Sequence, residues 1–525
     1  MQPDHLVQNW IVRKPLARSP SGRGIVATQN KIAGAAGVKI LNAGGNAVDA
    51  AVATGLALAT VEPWNSGLGG VGFMLVYLAK QKKVHVVDFG PVAPHRLNPA
   101  DYPLTGGFTT DLFTWPTVKD DRNVHGPNSI AVPGHVDGLA AALEKFGTKP
   151  FADVIEPAIE LAERGMAVDW YLTLKVATMA KELARYPSTR DVWLPGGYPP
   201  VTTAGAPLRR LKLTGLAGTL RKLQRNGPRD YYEGEVAASI VKDIAALGGI
   251  IDAHDLRNFH ARIVAPLELD YRGARIAVAG GLTAGPSIAR VLTALKEQNF
   301  SAGSPGSAAF VAYADALRDA YAERLATMGE SDDSKNPGCT THFNVIDRDG
   351  NMVALTQTLL SVFGSRVVLP DSGILMNNGI MWFDPRPESP NYFAPGKRPL
   401  TNMCPLIARR GDHGWFALGA SGGRTIMPAV MQITSFLADH GMTLEDAFHQ
   451  PRIDASGGET VGVDPRHPDE VQKALAEKFS VNLTELVVYP TNFACPSAVL
   501  RDPATGEHQG IADVMSPWSG AVAQS

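Results

Sequence analysis

The apolar and polar positions from Gly24 to Glu62 predict a short strand followed by two alanine-rich helices. Asn46 caps the second helix, Asp49 falls in its first turn, and Pro63 lies beyond its end. The stretch SGLGGVGFMLVYLAKQKKVHVVDFG then reads as a glycine-rich loop, a strand, a wet lysine-rich turn and a second strand at a buried sheet edge. From residue 134 to about 260 the period is helical, as in GHVDGLAAALEKFG and PFADVIEPAIELAERG, each closed by a glycine of the left-handed C′ kind. Strand patterns return at APLELDYRGARIAVAG, and a long helix is predicted from about residue 306 to 328. The polar stretch GESDDSKNPG follows, with the composition of an exposed or mobile segment and the best place in the chain to cut. Later, GWFALGASGGRTIMPAVMQITSFLADHG reads as strand, glycine turn and helix. No internal repeat or low-complexity tract interrupts this order.

The segment NPGCTTHFNVIDRDGNMVALTQT sets Thr340 and Thr341 directly after the polar stretch. Its D-G signal predicts a hairpin with the loop Arg348-Asp349-Gly350 and Gly350 in the left-handed position. If Asp347 faces Asn351, Thr340 faces Thr358 across the two strands, near enough for their hydroxyls to hydrogen-bond. Cross-strand threonine pairs are also ordinary stabilisers of sheets. What sets this pair apart is the predicted cut site beside it. A threonine hydroxyl is a poor nucleophile without a base, and a chain-terminal threonine carries one, an α-amine with a pKa of about 7.7 to 8.0. Cleavage between Cys339 and Thr340 would create that amine.

At 525 residues the chain exceeds the usual ceiling for one hydrophobic core, yet no stretch reads as a tether, so one large interlocked body is expected. A net charge of −2 leaves no electrostatic footprint for nucleic acid or an anionic membrane, and small molecules become the expected partners. The three cysteines form no CxxC pair and argue against a disulfide framework; with no apolar leader and no long apolar window, a cytoplasmic enzyme is expected, in which the sequon at Asn482 carries no meaning. The 13 histidines are scattered without metal-ligand spacing, so no metal site or cofactor is predicted.

The motifs TTHFNVIDRDGNMVALTQT, SGILMNNG, KRPLTNMCP and GASGGRTI, with GGNAVDAAVATGLALATVEPWNSGLGGVGFML near the start, resemble the γ-glutamyltranspeptidase family of N-terminal nucleophile hydrolases. The similarity runs from about residue 24 to 515 with motif order and spacing kept. The resemblance implies an α+β fold, a four-layer αββα sandwich. It also implies self-cleavage into a large subunit, 1–339, and a small subunit, 340–525, interlocked as a tight heterodimer, with room for a dimer of such pairs. Thr340 would be the nucleophile, Thr358 the threonine that hydrogen-bonds it, and the N–H groups of Gly422 and Gly423 the oxyanion hole.

Departures from the family pattern fall on the groups that hold the γ-glutamyl zwitterion. Gly90 stands where an arginine binds the α-carboxylate, Gly379 and Trp382 where a glutamine and an aspartate stand, and Leu360 where an asparagine stands; Thr401 and Asn402 replace paired serines. Charge-assisted hydrogen bonds contribute about 1.5 to 3 kcal/mol each, so losing two would weaken glutathione binding by orders of magnitude. The segment around Trp382 resembles the branch with cephalosporin-acylase-like and oxamate-amidohydrolase enzymes. Hydrolysis of a small amide such as oxamate or a glutaryl or other acyl amide is therefore expected, with Arg398 and Arg424 the cations to test for a substrate carboxylate. DPRPESPNYFAPGKRPL, after Trp382, is shorter than in members with a lid, which favours hydrolysis over transfer.

Three alternatives stay open. A true γ-glutamyltranspeptidase is one. GASGG also satisfies G-x-S-x-G, which would make Ser421 the nucleophile of an unprocessed α/β-hydrolase, with histidines and aspartates downstream. An unprocessed binding protein is the third. His342 would share the face of Thr340, and a structural hydrogen-bonding role is expected for it, because the terminal amine already supplies a base.

Overall fold

Asn46 accepts hydrogen bonds from Val48 N and Asp49 N while the Asp49 carboxylate accepts from Asn46 N, the reciprocal cap that starts helix Ala47–Val61. Every residue from Ala47 to Thr60 is buried, because small side chains let this helix pack on all sides. The computed structural model of the chain describes residues 14–109, 111, 113, 115–328, 339–484, 492–514 and 516–525. The predicted cut segment, 329–338, lies outside the described residues.

Two seven-stranded sheets carry the architecture. In chain-neighbour order, the first is built from Gly520–Ala523, Ile25–Thr28, Cys339–Ile346, Met352–Leu360, Val71–Leu78, Lys83–Phe89 and Arg262–Val264. The second runs Ala17–Ser19, His508–Ala512, Cys495–Arg501, His413–Ser421, Leu406–Arg410, Ala274–Val278 and Leu267–Tyr271. Their inner faces meet through alternate residues such as Val71, Phe73, Leu75 and Ala354 on one side and Ala277, Ile407, Ala417 and Val499 on the other. Helices Lys31–Asn42, Ala47–Val61 and His135–Phe146 cover the outer face of the first sheet, and Gly285–Leu295, Ser307–Met328 and Ile426–Ala438 cover that of the second. The result is the expected α+β sandwich, helix, sheet, sheet, helix.

Two local expectations change. Lys83–Phe89 is not the sheet edge, since Arg262–Val264 pairs outside it, a long-range pairing that no local pattern announces. Gly147 ends its helix in extended conformation, with φ −79°, while Gly165 is left-handed as expected, with φ +82°. Packing requires the glycine at 147, because a Cβ there would meet Leu143 O at 2.6 Å.

Candidate active site

The hairpin forms as the turn chemistry predicts: Gly350 has φ +79° and Asp347 N donates to Asn351 O. Ile346 pairs with Met352, and that register holds down to Thr341 opposite Gln357. There it shifts, so that Cys339 faces Leu360 and Thr340 sits at a bulge. A bulge releases one residue from the ladder and re-aims its side chain. Thr340 Oγ1 donates to Thr358 Oγ1 at 3.2 Å, and Thr358 Oγ1 accepts from Leu360 N at 2.8 Å. Thr340 is 7 % exposed and Thr358 fully buried.

Across the interface, strand His413–Ser421 runs toward this pair. A Cβ at Gly414 would touch Met352, one at Gly419 would touch the His342 ring, and the next turn carries Gly422 and Gly423. Gly422 has φ +141° and Gly423 φ +63°; a Cβ at Gly422 would meet Ala494 Cα at 2.9 Å, so only glycine fits. The turn leads through Gly423–Thr425 into helix Ile426–Ala438, whose N-terminal end favours negative charge. His342 is saturated, with Nδ1 2.8 Å from Thr356 Oγ1 and Nε2 3.1 Å from Asn344 Oδ1. Burial pushes its imidazole down to about 3, which keeps it neutral.

The positions expected to bind the acyl group begin one strand away from this pair. Val71 pairs with Thr358, and the end of the neighbouring strand carries Asp88 and Gly90. A Cβ at Gly90 would meet the Phe73 ring at 2.6 Å, so an aromatic ring fills the space of the family's arginine. Arg398 reaches the same point from the other side, with Nη1 3.2 Å from Asp88 Oδ1 and 3.3 Å from Gly90 O. Arg262 bonds the other oxygen of Asp88, so one carboxylate serves two guanidinium groups. Gly90, Thr401, Arg398, Arg262 and Phe73 line one cavity of about 390 Å³. Arg424 is apart from this cavity, its guanidinium 5.8 Å from the centre of the Phe113 ring. Leu360, Trp382, Phe113, Trp115, Met381 and Met403 form a buried apolar wall. At Gly379 a Cβ would meet Ala131 Cβ at 2.6 Å, so the fold has no room for a glutamine there.

Residues 33–338 and 326–522 match the sequence profile of the family described as Gamma-glutamyltranspeptidase. The chain is 34 % identical over 499 residues to the Acylase ACY 1 proenzyme of Pseudomonas sp. (strain V22), covering 88 % of this chain and 87 % of that one. It is 29 % identical to the Glutathione hydrolase proenzyme of Bacillus subtilis (strain 168), covering 93 % and 90 %. This chain belongs to the γ-glutamyltranspeptidase family. Its fold matches the crystal structure of cephalosporin acylase from Bacillus halodurans with a TM-score of 0.81 at 25 % identity, covering 97 % of each chain. As a family member it is an enzyme, an amide hydrolase.

In this γ-glutamyltranspeptidase relative three residues that the sequence did not single out bond to the expected positions or their neighbours. Arg262 arrives on the added edge strand. Arg324, 3 % exposed, donates from Nη1 to Thr283 O at 2.7 Å and from Nη2 to Thr401 O at 2.6 Å and Asn402 Oδ1 at 3.3 Å, fixing the segment that replaces the paired serines. Burial pulls its ionisation down to about 10. The third is Glu62, in the loop behind the hairpin. Strand, helix and loop signals place each of the three locally, and only the fold gives them partners.

Ser421 Oγ accepts from Gln29 Nε2, and no histidine hydrogen-bonds it among the described residues. DPRPESPNYFAPGKRPL folds back to stack Phe393 on Tyr102, ring centres 4.9 Å apart. Among the described residues one group could offer three metal-ligand atoms, His95, His254 and Asp255, all within 4.8 Å of one another, although the histidines are distant in sequence. Asp255 Oδ1 there already accepts from His95 N. A larger cavity of about 500 Å³, lined by Trp64, Tyr171 and Trp518, contains none of the expected site residues. Among the described residues no helix is long and apolar enough to cross a membrane.

Proposed function

We propose that this chain cuts itself between Cys339 and Thr340 and then hydrolyses a small amide whose acyl group is not γ-glutamyl. The hydrogen bond between the hydroxyls of Thr340 and Thr358, at a bulge where the ladder shifts, carries the reading. In maturation Thr340 Oγ1 attacks the Cys339 carbonyl carbon and the peptide C–N bond breaks, leaving an ester. The departing nitrogen takes up the hydroxyl proton and becomes the Thr340 α-amine; water then hydrolyses the ester to the Cys339 carboxylate and frees the Thr340 hydroxyl. Fragments 1–339 and 340–525 stay together because each sheet hydrogen-bonds strands of one to strands of the other.

In turnover the α-amine takes the hydroxyl proton as Oγ1 attacks the substrate amide. The oxyanion is held by Gly422 N–H and Gly423 N–H, a type of contact that contributes about 2.7 to 4 kcal/mol to the transition state. The protonated leaving amine departs, and water releases the acid from the ester. An acyl group with an apolar stem and a terminal carboxylate suits the cavity, where Arg398 and Arg262 share Asp88 beside Phe73. The room favours a glutaryl-type acyl group over oxamate. The Pseudomonas acylase supports this reading; the glutathione hydrolase reading has the family membership but lacks the charged clamp. Arg424 and Trp382 are proposed to border the acyl group, and Thr401 and Asn402 to form its polar side. The free, buried Cys404 and Cys495 suit a reducing cytoplasm.

A denaturing gel with intact-mass measurement should show two fragments divided before Thr340. One full-length band in active protein would remove the mechanism. Screening glutaryl amides, oxamate and γ-glutamyl anilides, with and without an added amine acceptor, should give glutaric acid as the main product; faster γ-glutamyl turnover or predominant transfer would contradict the reading.

A further inference from the structure

The loop Glu62 to Ser66 lies on the helix side of the first sheet and bonds to both strands of the catalytic hairpin. Thr341 Oγ1 donates to Glu62 Oε2 at 3.4 Å, and Asn65 Nδ2 donates to the same oxygen at 3.3 Å. Leu359 N donates to Asn65 O at 2.9 Å, Phe363 N to Trp64 O at 2.9 Å, and Gln357 Nε2 to Ser66 Oγ at 2.9 Å. The loop thus holds the residue after Thr340 and the residues on both sides of Thr358. We infer that Glu62 is a positioning residue for the Thr340 chemistry, an inference that rests on Thr340 being the nucleophile. Acting through the Thr341 hydroxyl, it sets the nucleophile strand against its partner so that Oγ1 meets the Cys339 carbonyl carbon.

Glu62 is 3 % exposed, and burial pushes its carboxyl up to about 7. A neutral carboxyl supports the strand without opposing the oxyanion that forms at Cys339, two residues from Thr341. An ionised one places a poorly compensated negative charge behind that carbonyl. Lys175, on helix Trp170–Thr178, faces Glu62 and favours its ionised form, and the Cys495 thiol lies close enough to feel the charge. The α-amine appears once the C–N bond breaks and is common to wild type and to every variant that keeps Thr340, so the variant-to-wild-type ratio of cleavage rates at each pH isolates Glu62.

The test follows maturation of the full-length chain by gel and intact mass in wild type, Glu62→Gln, Glu62→Ala, Thr341→Val and Thr340→Ala, with melting curves for each. Glu62→Gln keeps an acceptor without a charge. Its cleavage rate should stay within about threefold of wild type near pH 6 and rise relative to wild type by about fivefold or more toward pH 8.5. Thr341→Val should cleave about tenfold more slowly, the loss of one hydrogen bond, and Glu62→Ala more slowly still. Wild-type cleavage by Thr341→Val, or a Glu62→Gln ratio that does not change with pH, overturns the inference. If Glu62→Ala fails to fold, those two variants decide. Thr340→Ala separates the two readings. Cleavage of that variant refutes the nucleophile itself, whereas an uncut Thr340→Ala beside normally cleaved Thr341→Val refutes Glu62 alone.

Discussion

The proposed reactive end of the site and its proposed acyl end are held in different ways. Around Thr340 and Thr358, backbone ladder bonds, a bulge and a glycine turn in which Gly422 has no room for a side chain fix the geometry. Around Gly90 and Trp382, side chains decide it: Phe73 fills the place of an arginine, Arg398 and Arg262 approach from separate segments, and Trp382 closes the wall. Backbone geometry tolerates little change without loss of the chemistry, whereas a side-chain pocket can be rebuilt residue by residue. That asymmetry explains how one family holds proteins named acylase and glutathione hydrolase on one fold.

The comparison can be broken most strongly at Thr340. Thr340→Ala should leave one uncut chain on a denaturing gel and lower amide hydrolysis by about 10⁴-fold or more, since nothing nearby replaces a covalent nucleophile. At Gly422, alanine would meet Ala494 Cα at 2.9 Å and displace an oxyanion donor, so kcat should fall by about 10² to 10³ with KM nearly constant in steady-state assays. The acyl end should respond differently. Arg398→Ala should raise KM about 10- to 100-fold for a carboxylate-bearing acyl amide and little for a neutral one of the same length, leaving kcat nearly unchanged. An equal loss on both substrates would place Arg398 outside the acyl site.

The remaining prediction reads stability. Burial lowers His342 to about 3 and His135 to about 4, below the ordinary 6.5, so the unfolded chain binds more protons than the folded one between these values. Stability should fall as pH drops from about 6.5 toward 4, by on the order of 1 to 3 kcal/mol per histidine, seen as a falling melting temperature. Glu62, raised to about 7 from an ordinary 4.5, acts in the opposite sense: its contribution is full below about 4.5 and is lost as pH rises to 7. Glu62→Gln should therefore melt above wild type at pH 8 and alongside it near pH 4.5.

The hairpin could be read from its residues as far as Thr341 opposite Gln357, because a D-G turn with a three-residue loop fixes register locally; the bulge that takes Thr340 out of the ladder, in place of the expected direct pairing with Thr358, was not legible. The alanine-rich helices were legible for the same reason: Asn46, Asp49 and helical spacing act within a few residues of one another. The family motifs added the glycine turn and exposed the missing clamp. The edge strand that brings Arg262, the Phe73 ring over Gly90, Arg324 beneath Thr401 and Glu62 behind Thr341 were decided only by the tertiary structure. Each joins segments far apart in the chain, and their pairing follows from how two sheets and their helices close on one another, which no local periodicity encodes.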